Sequence, residues 1–113
     1  MHLRLVEEAA GSARILAVHG RIDSSTAKEF GARLDGLLEA GAPCVVVDLG
    51  QLLYISSAGF RMLLIARRLA ESRGARLILC GMSQDVRALF DLGKFSQLFP
   101  IVASRDQAVA QAV

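Results

Sequence analysis

A chain of 113 residues, 53% hydrophobic and 5% aromatic with no tryptophan, is long enough for one domain with an aliphatic core and no staples. The formal net charge of +2 is too small, and the basic residues too scattered, to imply direct nucleic-acid binding. Cys44 and Cys80 stand in apolar, strand-like segments without a C-x-x-C partner or a histidine cluster. They read as buried reduced thiols, and neither a disulfide nor a metal site is expected.

Residues 3–6 and 14–18 read as short strands joined by a turn over 7–13 that contains Gly11 and Ser12. Gly20-Arg21-Ile22-Asp23 leads to Ser24-Ser25-Thr26, where Thr26 and Glu29 fit a capping box. The following helix runs to about residue 40, with Phe30, Leu34, Leu37 and Leu38 on its apolar face. Gly41 supplies a left-handed end and Pro43 prevents continuation. Residues 44–49 are apolar on both sides of the pleat until Asp48, as an interior strand covered on both faces must be.

Residues 50–55 then read as a turn feeding a second helix, which begins near Ser57 or Ala58 and ends before Gly74. Met62, Ile65, Ala66 and Leu69, with Leu63, form its expected buried stripe, and Arg61, Arg67 and Arg68 point elsewhere. Residues 76–80 are another interior strand. Ser83 caps a third helix through about residue 92, stopped by Gly93. Residues 99–102 form a last strand, which Pro100 places at an edge. Ser104 and Gln107 make a second capping box and start a helix that reaches the C-terminus.

The order β-β-α-β-α-β-α-β-α predicts a single α/β domain over residues 1–113. Its sheet is mostly parallel, with one antiparallel strand at the N-terminal side, right-handed crossovers and about four flanking helices. No G-x-G-x-x-G or G-x-x-x-x-G-K-[ST] loop is present, so nucleotide binding by this chain is not expected. Glu7 and Glu8 interrupt the N-terminal segment where a signal peptide needs an apolar run. No uncharged run reaches the roughly 18 residues of a membrane span, and the protein is expected to be cytoplasmic. No long apolar surface demands self-association, and a monomer is expected.

The informative stretch is Ile55-Ser56-Ser57-Ala58-Gly59 between a strand and a helix. One reading is purely structural: Ser56 or Ser57 caps the helix, a role worth about 1 kcal/mol, and Gly59 eases a close approach. A catalytic reading takes Ser57-Ala58-Gly59 as part of a G-x-S-x-G nucleophile elbow. Ile55 stands in place of the first glycine, and His2 and His19 are the sole candidate bases. No catalytic residue is expected. The third reading makes Ser57 an acceptor of a phosphoryl group. A phosphoserine brings about −1.5 to −2 charges to a helix N-terminus that accommodates them, while a partner packed on that surface does not. Arg61 lies one turn further on.

Asp48-Leu49, five intervening positions and Ile55-Ser56-Ser57-Ala58-Gly59-Phe60-Arg61, preceded by Val45-Val46-Val47, resemble a STAS domain of the anti-sigma factor antagonist type. The family pattern there is D-L-S-x-V-x-[FY]-[ILM]-D-S-[ST]-G-[LI]. Gly20-Arg21-Ile22-Asp23 with Thr26-Ala27, Leu77-Ile78-Leu79-Cys80-Gly81, Val86-Arg87-Ala88-Leu89 and Phe99-Pro100-Ile101 carry the likeness along the chain.

The resemblance implies a protein without cofactors. Its unphosphorylated form binds an anti-sigma factor serine kinase and so frees a sigma factor. The kinase phosphorylates it to release it, and a metal-dependent serine phosphatase restores it. Carried over by position, the phosphoacceptor is Ser57, and the contact surface includes Asp23, Ser56, Gly59 and the exposed side of the second helix, including Arg61. Ser56 stands where many members have aspartate, which removes a fixed negative charge beside the acceptor. The other role the family offers is a STAS protein with a different partner, such as a secretion regulator or a subunit of a lipid or anion transport system.

Overall fold

The computed structural model describes residues 2–112. Met1, the first residue of the segment read for a leader, and Val113, the end of the expected last helix, lie outside the described residues. The elements are β1 (Arg4–Ala10), β2 (Ala13–Ile22), α1 (Ala27–Glu39), β3 (Cys44–Ile55), α2 (Ser57–Arg73), β4 (Arg76–Cys80), α3 (Gln84–Leu92), a 3₁₀ turn (Phe95–Gln97), β5 (Ile101–Val102) and α4 (Arg105–Gln111). The strands lie side by side in chain order, β1 antiparallel to β2 and every later pair parallel. The expected mixed sheet and four helices are therefore present.

Each parallel strand is laid beside its predecessor in the same direction, so right-handed crossovers place α1, α2 and α3 on one face. There Leu16, Val18, Val45, Val47 and Leu79 pack with Phe30, Leu34, Leu63 and Phe90. The alternate residues Ile15, Cys44, Val46, Ile78 and Cys80 face the other way, against Ala108 of α4. Both faces are covered, which is why residues 44–47 are apolar without a break.

Several boundaries differ from expectation. The first hairpin turns through Gly11 and Ser12 alone, with Ala10 paired to Ala13 and Gly11 at φ 61°. Glu7 and Glu8 are strand residues whose carboxylates bind Arg33 (2.6 Å) and Arg105 (2.5 Å). Charge on an edge strand leaves the backbone ladder intact and discourages further pairing.

β3 does not end at Leu49 but continues to Ile55 through two shifts of register against β2. Leu53 falls between the Gly20–Leu52 and Arg21–Tyr54 pairs, so it is bulged out and 58% exposed. In α1, Thr26 makes no capping bond to the helix. Its hydroxyl donates to the Arg21 carbonyl (2.9 Å) and accepts from Asp23 N–H (2.9 Å). The Asp23 carboxylate instead binds the N–H groups of Ser25 and Thr26.

The buried stripe of α2 is Phe60, Leu63, Ala66 and Ala70, not the one expected. Met62 and Leu69 are half-buried and Ile65 is 45% exposed. Phe60 fixes this rotation: its ring stacks on Phe95 with centroids 4.3 Å apart and meets Phe90 edge-on at 4.8 Å.

α3 begins at its Ser83 cap as expected, but Gly93 has φ −87° and the left-handed residue is Lys94. Gly93 is required for space, since a Cβ there would lie 2.6 Å from the Phe95 ring. The last strand shrinks to Ile101–Val102, because Phe99 turns into the core. Ser104 accepts from Gln107 N–H (3.2 Å), and Gln107 reaches back to Ala103 N–H (3.0 Å) instead of to Ser104.

Both cysteines are buried and free. Burial, with the Asp48 charge adding to it, pushes the Cys80 thiol from its ordinary 9.0 up to about 11. The folded chain thus stays protonated where the unfolded chain ionises. This contribution to stability is complete below pH 9 and is lost as pH climbs from about 9 towards about 11. Thermal melts across that window should fall in the wild type and fall less steeply in Cys80→Ala. Parallel pH profiles for the two proteins would contradict the assignment.

Candidate functional site

The C-terminal ends of β2 and β3 bring the two informative segments together. Ile22 pairs with Ile55, and Ser56 N–H donates to the Ile22 carbonyl at 2.8 Å. Asp23 therefore enters the corner from β2, and the serine pair enters from β3. At this corner a helix starts, and its first backbone N–H groups lack intrahelical partners.

Between the two serines the geometry decides which one caps. Ser56 is extended (φ −90°, ψ 174°), and its hydroxyl accepts from Gly59 N–H at 3.4 Å, a long and weak bond. Its carbonyl takes the first helical bond, from Phe60 N–H at 3.0 Å. Ser57 is thereby left as the first residue of α2, exposed at the positive end of the helix dipole. Arg61 is exposed one turn later on the same side of the helix.

Gly59 is buried, and a Cβ on it would lie 2.6 Å from Ile55 Cγ1 and 2.7 Å from Ile22 Cγ2. Its part in the corner is to let α2 press onto the ends of β2 and β3, not to present a side chain. Asp23 is half-buried, and hydrogen bonds, first of all from the Ser25 hydroxyl, hold its carboxyl below the ordinary carboxylate range. The corner's fixed anion thus stands just past the end of β2, on the segment adjoining Ser56.

His19 pairs with Gln51, four strand positions before Ile55 and so roughly 13 Å down the sheet. His2 is exposed ahead of β1. Among the described residues no group of three or more His, Cys, Asp or Glu side chains could hold a metal ion. Among them, too, no helix is long and apolar enough to cross a membrane.

Two features escaped the sequence. Arg21 lies over the Tyr54 ring at 4.6 Å, beside the bulged Leu53. Arg61, Leu64, Ile65, Arg68, Leu69 and Ser72 line an open groove of about 560 Å³ along α2. The sequence pattern places Ile65 and Leu69 in the buried stripe and turns Arg61 and Arg68 elsewhere, so it shows no groove between them.

The pattern of the STAS domain family matches residues 5–108. The chain belongs to the STAS domain family. BtrV of Bordetella bronchiseptica, assigned as an anti-sigma factor antagonist, is 39% identical over 97 residues, covering 85% of this chain and 83% of BtrV. Among solved structures, an anti-sigma factor antagonist from Mycobacterium paratuberculosis aligns at TM-score 0.89 and 18% identity, over 98% of this chain and 94% of that one. The Bacillus cell fate determinant SpoIIAA in its phosphorylated form aligns at TM-score 0.73 and 18% identity, over 99% and 100%. These structures share the fold. In this STAS domain the serine pair sits at the strand-to-helix corner, with the cap on Ser56 and the exposed hydroxyl on Ser57.

Proposed function

We propose that this STAS domain is an anti-sigma factor antagonist, a binding module switched by phosphorylation of Ser57. The observation that carries the reading is the division of labour between the serines. Ser56 caps α2, so a phosphoryl group on the exposed Ser57 displaces no capping bond. The kinship with BtrV, itself assigned as an anti-sigma factor antagonist, supports the partner class.

In the unphosphorylated form the corner of Asp23, Ser56, Ser57 and Arg61, with the Ser57 hydroxyl uncharged, docks on an anti-sigma factor serine kinase, which then releases its sigma factor. That kinase transfers the γ-phosphoryl group of ATP: the Ser57 Oγ–P bond forms, the bond to ADP breaks, and the hydroxyl proton passes to a base of the kinase. The product carries about −1.5 to −2 charges at the N-terminus of α2. Free N–H groups and the helix dipole stabilise that anion within the domain. A partner surface shaped around a hydroxyl has no such compensation, so the complex separates while the fold persists. Hydrolysis of the ester by a metal-dependent serine phosphatase resets the surface. The domain supplies recognition and an acceptor, not catalysis.

The test is displacement. Titrated into a preformed complex of the cognate anti-sigma kinase and its sigma factor, the unphosphorylated chain should release free sigma factor, read by size exclusion or sigma-dependent transcription. A complex that survives excess chain would oppose the assignment.

A further inference from the structure

We propose that α4 is a strap, locked by Arg105, that opens as a unit while the rest of the domain stays folded and thereby controls access to the thiols of Cys44 and Cys80. The device lies on the face of the sheet opposite α1, α2 and α3, and the docking corner plays no part in it.

The strap has little to hold it beyond its ends. At seven residues α4 falls well short of the roughly 12–15 at which an isolated helix becomes even marginally stable in water, so contacts with the sheet keep it folded. Its one fully buried residue is Ala108, with Val109 and the cap residue Ala112 half-buried. Side chains this small remove little apolar surface from water. By contrast, α2 sends Phe60 and Leu63 into the main core.

Polar contacts close the two ends. Arg105 Nε donates to Asp48 Oδ2 at 3.0 Å, Nη2 lies 2.9 Å from the same oxygen, and Nη1 reaches Glu8 at 2.5 Å. The guanidinium therefore crosses from β3 over β2 to the edge strand β1. At the far end Arg76 donates to the Gln111 carbonyl. Each end stands beside one thiol, because Cys80 is the cross-strand partner of Asp48 and Cys44 that of Arg76. Both cysteines are buried in the cluster that Ala108 completes.

The catch on the sheet is built independently of the strap. Asp48 Oδ1 accepts from Gly50 N–H at 2.9 Å, so its carboxylate stays in place when Arg105 leaves. No strand pair runs through α4, and the five-stranded ladder survives its departure. Opening costs the ion pairs and a thin apolar contact, far less than global unfolding, which makes α4 a separate cooperative unit.

The experiment pulses the native chain with N-ethylmaleimide across a urea series, at fixed pH. Peptide mass spectrometry gives the rate at each cysteine relative to the unfolded chain. Both thiols should be labelled in parallel, at a rate nearly flat in low urea, because lifting α4 exposes little surface. Arg105→Gln should raise both rates by about tenfold or more and keep the flat profile. The wild-type urea profile tests the strap without any substitution. Rates that climb from the lowest urea in step with global unfolding overturn the proposal. So does labelling of Cys44 alone, which is fraying at Gln111, and so do Arg105→Gln rates equal to those of wild type.

Discussion

Ser57→Glu should bind the anti-sigma kinase about a hundredfold more weakly than the wild-type chain, a loss of about 3 kcal/mol. Ser57→Ala should bind as tightly as wild type and remain bound when ATP is added. The asymmetry follows from where the side chain sits. Ser57 is exposed at the first position of α2, and the cap belongs to its neighbour, so alanine removes the acceptor and little else. A carboxylate there is compatible with the helix dipole, so the melting temperature of Ser57→Glu should stay near that of wild type. Loss of binding without loss of stability is the signature of a docking switch. Isothermal titration with parallel thermal melts reads both quantities. Equal loss in the alanine variant would mean that the hydroxyl itself, not its charge state, is what the kinase recognises.

The largest effect on stability is expected at Gly59. Even the methyl group of Gly59→Ala would approach Ile55 Cγ1 to 2.6 Å and Ile22 Cγ2 to 2.7 Å. Ile22 is 0% and Ile55 2% exposed, and both belong to the main core, so neither side chain has free space to swing into. Overpacking of this kind costs about 1–3 kcal/mol, against which the better helix propensity of alanine offsets less than about 1 kcal/mol. Gly59→Val adds a branched side chain to the same contact and should be worse. At about 4 °C per kcal/mol for a domain of this size, Gly59→Ala should melt several degrees below wild type and Gly59→Val further still. Because α2 would be pushed away from the ends of β2 and β3, kinase binding should fall together with stability. Unchanged melting temperatures would contradict the close approach that positions Ser57.

The element order and sheet direction were legible because residues 44–47 and 77–80 are apolar on both faces, as buried parallel strands must be. The first hairpin was underestimated because Glu7 and Glu8 break the apolar alternation on an edge strand, where the backbone pairs regardless of side-chain polarity. The extension of β3 was hidden by the bulge at Leu53, which interrupts the period of two.

The phase of α2 was ambiguous for a different reason. Residues 62–66 are apolar without a break, so spacing alone does not say which of them faces inward. Phe60, held between Phe90 and Phe95, sets the rotation, and that contact is tertiary. The same rotation turns Ile65 outward and creates the groove. For the site itself, the serine pair and Arg61 were visible in sequence. The allocation of the cap to Ser56 depends on the extended backbone at that residue, which two adjacent serines do not encode.

The central claim is that Ser57 receives the phosphoryl group. After incubation with the cognate kinase and ATP, peptide mass spectrometry should place a single phosphate on Ser57, and Ser57→Ala should take up none. Phosphate on Ser56, on the Ser24-Ser25-Thr26 turn, or retained in Ser57→Ala would contradict the account.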